Sequence, residues 1–514
     1  MKAGIIGGGL GGMMSALQLA RAGWEVDLFE RSSQLGGRLA FESNGGMYQI
    51  DRGPTIVLLP EMLQSLLAEV GIGSEEYELI ECDPLYRIHY PDGMCLTKYR
   101  DPDRMAEELE RLFPGDGQGM RRYMEDMAPA FTEGKTKFLD RSFLRKRDFF
   151  SIDNLKLLGR LRAYQSTRQL AARYFKAERA IDAFSLQTLY IGGLPGASPS
   201  LYSFIPYAEH EFGIWYWKGG YASLVPLLEK HLIAQGVQIH QGDNGDVTGI
   251  QIEDSMAKGF HTRNNGFHSY DHVIYNGDFP NLSKLLPAGK AKPRSFKPSS
   301  GCILLYIGAE KRWSDDGGPI GEPPTDRSVI PHQYFLPQSL NHSLEQMAAR
   351  LKPPGDSDEL PPYYIFNPVA ADPEAAPAGH SVLYVLIPLP VPYLEEDVGA
   401  RERLRESASM LAERIIADAE ERAFPGLKAS IRWMNIRTPA DGAAEGWYQG
   451  GSFGIAPTLS QSGPFRPQIV PYPIKGLYSV GASIHPGGGV PIVLQGAKLL
   501  TDHLTKERVS WTGA

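Results

Sequence analysis

Five glycines and one acid near the amino terminus have the types and spacing to grip a dinucleotide. Gly7, Gly9 and Gly12 fit the pattern G-x-G-x-x-G, with Gly8 and Gly11 as additional glycines. In such a pattern the first glycine permits a tight turn, the second lets backbone approach a pyrophosphate, and the third lets helix pack closely on strand. Glu30, followed by Arg31, lies about twenty residues beyond, where an acid meets a ribose hydroxyl. Gly36 and Gly37 then precede Arg38, a cation suited to a phosphate; a solvated surface arginine is the competing reading. A plain nicotinamide fold does not need this second glycine pair, whereas extended FAD must be held along its pyrophosphate as well as at its adenosine.

A second glycine-rich turn lies in the stretch GLYSVGASIHPGGGVPIVLQGAKLL, residues 476–500. Gly481 and Ala482 open it, and Pro491, Ile492 and Val493 begin a helix, where a proline's missing N–H costs nothing. The free N–H groups and positive dipole end of that helix suit the reactive end of a flavin. His485, inside the turn, is a candidate general base, with a structural histidine as the alternative. Glu209, His210 and Glu211, just ahead of Trp215, are further candidates.

These residues need elements to position them. AGII reads as a buried parallel strand. The helix after it carries Met13, Leu17 and Ala20 on one face and stops at Gly23. WEVDLFE alternates Val26 and Leu28 as a second strand ending at Glu30. DRGPTIVLLP (51–60) makes a turn before a helix bearing Leu63, Leu66 and Leu67. From about 75 to 214 the pattern is largely helical. The segment 216–252 then reads as helix and strands, with a strand near Val247 offering backbone to an adenine. HVIYNGD (272–278) is a further apolar strand. Residues 286–445 are β-rich, with GCILLYIGAE, YYIFNPV and HSVLYVLIPLPV as strands and loops at 314–325 and 352–355. The expected fold class is α/β: a Rossmann-like FAD-binding domain (1–75, 215–285 and 446–514) with a discontinuous α+β substrate-binding domain (76–214 and 286–445).

The bulk properties bound the rest. The chain has 514 residues, 42% of them hydrophobic and 22% charged, which suits a globular protein. A net charge of −8 argues against nucleic acid as a partner. Cys82, Cys95 and Cys302 have neither metal nor disulfide spacing, so no metal is expected and a reducing compartment is. The early first strand leaves no room for a signal peptide, and no apolar run is long enough to span a bilayer. Residues 135–162 carry nine Lys or Arg against three Asp, interleaved with Phe and Leu. They suit either a helix lying in a membrane interface or an ordinary amphipathic helix packed on the core.

The amino-terminal fingerprint with GGR, DRGPTIVLLP, SLQTLYIGGLPGASPSLYSFIP, WYWKGG and GASIHPGGGVPIVLQGAK together resemble the bacterial-type carotenoid (phytoene) desaturases, nearly end to end. LQTLYIG, PSLYSFIP, GPTIV and FGIAPTLSQS resemble the dehydrosqualene (4,4'-diapophytoene) branch in particular. The resemblance implies FAD-dependent desaturation of a long acyclic isoprenoid, with quinone or oxygen as electron acceptor. It implies that Gly53, Pro54 and Thr55 join the cofactor-binding residues. It also leaves open a terminal-methyl oxidase of the same family and a forty-carbon phytoene desaturase. Outside the family stand a flavin amine oxidase and a redox-silent FAD scaffold. A long hydrocarbon calls for a deep apolar tunnel, for which Tyr190, Tyr202, Phe204, Trp215 and Trp217 are candidate lining residues, with plain core as the alternative. The implied setting is cytoplasmic, peripherally attached to the inner face of the cell membrane.

Overall fold

Strands drawn from both ends and the middle of the chain meet in one parallel sheet. Its order is Leu477–Ser479, His272–Tyr275, Lys2–Ile6, Glu25–Glu30 and Gln238–Gln241. The computed structural model describes residues 1–313, 329–350, 355, 358–389, 391 and 398–512. Lys2–Ile6 is flanked on both sides and buries Ala3, Ile5 and Ile6, as a strand covered on both faces must. The helices Leu10–Arg21 and Val490–Thr512 pack together beside it. Phe29 meets Phe260 edge-on at 4.9 Å, tying in a three-stranded antiparallel sheet that begins at Val247–Glu253.

A second, seven-stranded sheet runs Ile431–Arg437, Gly301–Ala309, Ser381–Leu389, Tyr363–Phe366, His332–Phe335, Tyr86–His89 and Cys95–Lys98. Side chains alternate across it. Ile303, Leu305 and Ile307 face one core, built with the long helix Val398–Arg422. Leu304 and Tyr306 face the other, together with Tyr86, Tyr334, Tyr364 and Tyr384. Register places Tyr334 opposite Tyr364 and Tyr306 opposite Tyr384, so register and strand periodicity together align a row of tyrosines on one face.

Several expectations need correction. The span 75–214 is largely helical as expected but also contains three strands, Leu79–Cys82, Tyr86–His89 and Cys95–Lys98. Each has only four residues, too few for a period to emerge. Residues 135–162 are not one helix. They form a wide turn at Lys135–Leu139 and short helices Lys146–Phe149 and Ile152–Arg160. The break arises because Phe138 and Phe143 turn inward onto Phe149, at 5.3 and 5.0 Å between rings. The Ser151 side chain then caps a new helix at the Asn154 N–H. After Gly481 the chain makes a loop before its helix begins at Val490. The expected loops at 314–325 and 352–354 lie outside the described residues. Among the described residues no helix is long and apolar enough to cross a membrane.

Candidate functional site

A cavity of about 1490 Å³ lies between the two sheets. That exceeds the roughly 300–1,000 Å³ of a pocket for one small molecule and leaves room for two ligands. Gly7, Gly9, Gly11, Glu30, Arg31, Gly37, Arg38, Gly53, Pro54, Thr55, Val247, Gly481, Ala482, Pro491, Ile492 and Val493 all line it, as do Tyr190, Tyr202, Phe204 and His485. Gly8 and Gly12 do not. A Cβ on Gly12 would overlap the Gly7 carbonyl, and one on Gly8 would overlap Leu35, so these two serve packing.

Gly7 has φ +107°, a conformation open chiefly to glycine, and its N–H donates to the Phe29 carbonyl at 2.7 Å. Asn276 pins the turn, donating from Nδ2 to the carbonyls of Gly7 (3.0 Å) and Gly9 (3.1 Å). Gly9 is different. Its φ of −73° suits any residue, and a Cβ there would meet only Asn276 Nδ2, at 3.2 Å. Nothing in the protein itself requires glycine at this cavity-facing position. The helix behind it has no side-chain cap and no acid in its first turn, so its N-terminal N–H groups stay available for an anion. A pyrophosphate fits this cradle. Glu30 closes the turn from the far side, accepting from the Gly8 N–H at 2.8 Å and the Ser32 N–H at 2.9 Å.

Arg38 is placed otherwise than expected. Its guanidinium grips Asp278 in a two-pronged pair (3.1 and 2.8 Å) and donates to the carbonyls of Ser452 (2.8 Å) and Gly451 (3.2 Å). It is therefore a tie between segments of the cavity wall rather than a cation held free for phosphate; the buried carboxylate behind it draws its charge inward. Burial pushes the Asp278 carboxyl up. Arg38, the Tyr448 N–H and the Ser483 hydroxyl outweigh that and hold it below the ordinary range.

The two glycine turns touch. A Cβ on Gly11 would lie 3.3 Å from the Gly481 Cα and 3.2 Å from Val493. Beside them Thr55 Oγ1 shares a hydrogen bond of 2.9 Å with the Tyr364 hydroxyl, which also meets His332 Nδ1 at 2.7 Å. His485 donates from Nε2 to the Arg141 carbonyl at 2.9 Å and packs edge-on to Phe143. Its Nδ1 is buried without a partner, and burial lowers its pKa to about 4. An imidazole so weakly basic is poorly matched to general-base work at neutral pH, which favours the structural alternative.

Trp215 and Trp217 do not line the cavity: Trp217 is corrected to core, and Trp215 is half-buried against that core. Their strand Ile214–Trp217 pairs with Leu79–Cys82. Trp217 stacks on Tyr77 and Tyr221, and Trp215 donates to the Phe212 carbonyl. Glu211 is exposed. His210 is buried, and its Nδ1 donates to the Tyr99 carbonyl; burial and the nearby Lys98 charge keep it neutral.

Glu209 has a different setting. It is fully buried directly behind the cavity wall, 3.6 Å from the equally buried Lys98. Its Oε2 accepts from the Tyr86 hydroxyl (2.8 Å) and Gln187 Nε2 (3.1 Å). Burial raises its pKa and lowers that of Lys98 to about 8. Sequence reasoning missed Lys98, Asn276, Asp278, Tyr334 and Tyr364. Only the NGD that ends the apolar strand at 276–278 carried a signal, since a polar pair at a strand's carboxyl end faces a ligand crevice.

Residues 10–499 match the family model described as flavin containing amine oxidoreductase. A 4,4'-diapolycopen-4-al dehydrogenase from Metabacillus indicus is 45% identical over 513 residues, covering 99% of each chain. A 4,4'-diapophytoene desaturase (4,4'-diaponeurosporene-forming) from Staphylococcus aureus strain MRSA252 is 30% identical over 523 residues, again covering 99% of each. The solved structure of an oxidoreductase from Methanosarcina mazei shares the fold, with TM-score 0.62 and 19% identity over 98% of this chain and 100% of that one.

Proposed function

The chain belongs to the flavin containing amine oxidoreductase family, among its carotenoid desaturases, and from that premise we propose an FAD-dependent oxidoreductase of long acyclic isoprenoids of the thirty-carbon, diapocarotenoid type. One observation carries the substrate class: a single cavity joins the glycine cradle to a long wall of apolar and aromatic side chains. FAD is the cofactor. Gly7, Gly9 and Gly11 with the helix behind them would hold its pyrophosphate, Glu30 its ribose and the Val247 backbone its adenine. Gly53, Pro54, Thr55 and the turn from Gly481 to Val493 would hold the ring. Bound FAD supplies a two-electron acceptor for a hydride. The protein's part is to exclude water, orient an apolar chain by shape and hold the proton that is released. Quinone or oxygen would take up the electrons afterwards.

Two reactions fit. Desaturation of dehydrosqualene is the reading drawn from the motifs. Oxidation at the end of the polyene is favoured by a specific observation: the aldehyde dehydrogenase of the same family matches at 45%, against 30% for the desaturase. Expression with a dehydrosqualene source, a phytoene source or a preformed thirty-carbon polyene aldehyde separates them by chromatography and mass. A longer conjugated hydrocarbon marks desaturation, and added oxygen marks end oxidation. Absence of any change in all three backgrounds would sink the proposal.

Peripheral membrane contact is part of the same reading. Leu144, Phe150, Ile152, Leu155 and Tyr164 are exposed, in the segment bearing Arg141, Arg145, Arg147, Lys156 and Arg160. Phe150 meets Phe465, and both line the cavity as well as facing outward. An apolar rim with basic neighbours suits a lipid surface from which a water-insoluble substrate enters. Flotation with anionic vesicles, weakened by salt, is the expected result. Failure to float at low salt contradicts it.

A further inference from the structure

The cavity wall contains a polar site that a pure hydrocarbon cannot use. Tyr334 donates its hydroxyl to the Tyr190 hydroxyl at 2.8 Å, and both residues line the cavity. Behind Tyr190 lies Glu209, whose Oε2 is taken by Tyr86 and Gln187 and whose buried Oε1 has no hydrogen-bond partner, which leaves it free to accept a proton from the nearby Tyr190 hydroxyl, a group that already lowers its proton affinity. Behind Glu209 lies Lys98, its Nζ 3.9 Å from the centre of the Phe184 ring. In front, the Tyr334 ring is 4.8 Å from that of Tyr364, whose hydroxyl meets Thr55. The hydroxyl pair thus sits one ring away from the segment proposed to hold the flavin. Burying two hydroxyls, a carboxylate and an ammonium beside an apolar tunnel is expensive when nothing polar enters it. A residue pair needed only to line a hydrocarbon would be phenylalanine.

Resting on the proposed function, we infer that the hydroxyls of Tyr190 and Tyr334 seat an oxygen atom at the end of the polyene, and that Tyr190 relays its proton to Glu209. The substrate end is then a hydrated aldehyde. A single water, admitted at this polar end of a tunnel that otherwise excludes bulk water, adds across the aldehyde carbonyl, giving a carbon that bears two hydroxyls and one hydrogen. The C–H bond breaks and its electron pair leaves as hydride to the flavin. One O–H bond breaks, its electrons form the new C=O, and its proton passes to the Tyr190 oxygen as Tyr190 gives its own to Glu209. The product is the carboxylic acid. Tyr190 touches substrate; Glu209 and Lys98 act through it as positioning residues. Burial, the largest influence on Glu209, raises its proton affinity, while Lys98, Tyr86, Tyr190 and Gln187 oppose this. Of its other neighbours, Tyr123 and Tyr334 are held un-ionised by burial and His210 is neutral. The carboxylate is thereby a better proton acceptor than an exposed one.

The test uses FAD-loaded protein with two probes: a thirty-carbon polyene aldehyde and the matching hydrocarbon. With the flavin reduced beforehand no turnover occurs, and the unhydrated aldehyde, seated by the same hydroxyls, changes colour as its carbonyl accepts a hydrogen bond. Wild type is expected to shift the aldehyde to the red. Tyr190→Phe and Tyr190→Phe/Tyr334→Phe should lose that shift and weaken aldehyde binding roughly tenfold, the order of one lost hydrogen bond, with hydrocarbon binding unchanged. Glu209→Gln should keep the shift, lower kcat and remove the acid limb of its pH profile. Should Glu209→Gln fail to fold, the double variant Lys98→Met/Glu209→Gln, which leaves no unpaired buried charge and keeps Tyr190 in place, gives the same reading of kcat against binding. An aldehyde bound with the same colour by wild type and Tyr190→Phe, while the hydrocarbon is oxidised, overturns this inference and leaves the proposed function standing. Binding of neither probe overturns both.

Discussion

Two ion pairs lie at the same cavity, one in its wall and one buried behind it, and they behave oppositely. Arg38 and Asp278 form a bidentate pair whose remaining valences are met by two carbonyls, one amide and one hydroxyl. The result is an acid held below its ordinary range. Lys98 and Glu209 are separated by 3.6 Å, both with no exposed side-chain surface. Glu209 Oε1 lacks a well-formed hydrogen bond, and the pKa values of the two groups are moved toward one another. The same charge types therefore give a fixed strut in one place and a poised proton site in the other. Geometry and the count of extra hydrogen bonds decide which, because an ion pair offsets its desolvation only when its other valences are filled.

The sharpest way to break this contrast is Asp278→Ala. It leaves Arg38, the Tyr448 N–H and the Ser483 hydroxyl without their shared acceptor. A loss of about 3–5 kcal/mol is expected, the range for removing one partner of a buried pair, and FAD retention should fall with it. Calorimetry and the yellow colour of the purified protein read both. The double variant Lys98→Met/Glu209→Gln should instead keep stability within about 1 kcal/mol, since removing both charges of a poorly compensated pair is often neutral, while turnover collapses. Denaturant titration beside a turnover assay checks it. A double variant as damaged as Asp278→Ala would erase the distinction.

The pH dependence of stability sharpens it further. Asp278 is depressed when folded, so its contribution is present at neutral pH and lost as pH falls through its folded value. Glu209 is raised, so the folded state holds a proton that the unfolded chain has released, and stability declines as pH climbs from 4.5 through the folded value. Lys98 is depressed to about 8 from 10.5, so stability rises between those values as the unfolded chain alone stays charged. Melting temperature against pH should lose the last two slopes in the double variant and keep the first. The smallest effect is expected at His485. His485→Asn should leave kcat within about threefold, because general-base catalysis, worth about 10²–10⁴, is not drawn from a group with pKa near 4. A hundredfold loss with intact FAD would restore it as a base.

Legibility in the sequence followed the same division. The first glycine turn was readable because local backbone demands dictate its residues: Gly7 needs positive φ and Gly12 needs closeness to the Gly7 carbonyl. Val26 and Leu28 announced their strand by alternation. Arg38 was recognised as a cation in the right place, but its partner lies 240 residues away, and no local pattern encodes such a pairing. The tyrosine row was hidden for a related reason. Tyr86, Tyr334, Tyr364 and Tyr384 come from four different strands, and only sheet pairing gathers them on one face. Trp215 and Trp217 misled because aromatic richness marks a core and a tunnel alike.

The central claim is that a long polyene in this cavity is oxidised by the flavin held at the glycine turns. Anaerobic mixing of the FAD-loaded protein with a thirty-carbon polyene, followed by absorption spectroscopy, tests it directly. The account predicts that the flavin band bleaches in one phase as the polyene spectrum shifts, and that bleaching is lost when Gly9→Val removes the cradle. A fully occupied flavin whose band stays unchanged with both the hydrocarbon and the aldehyde would contradict it.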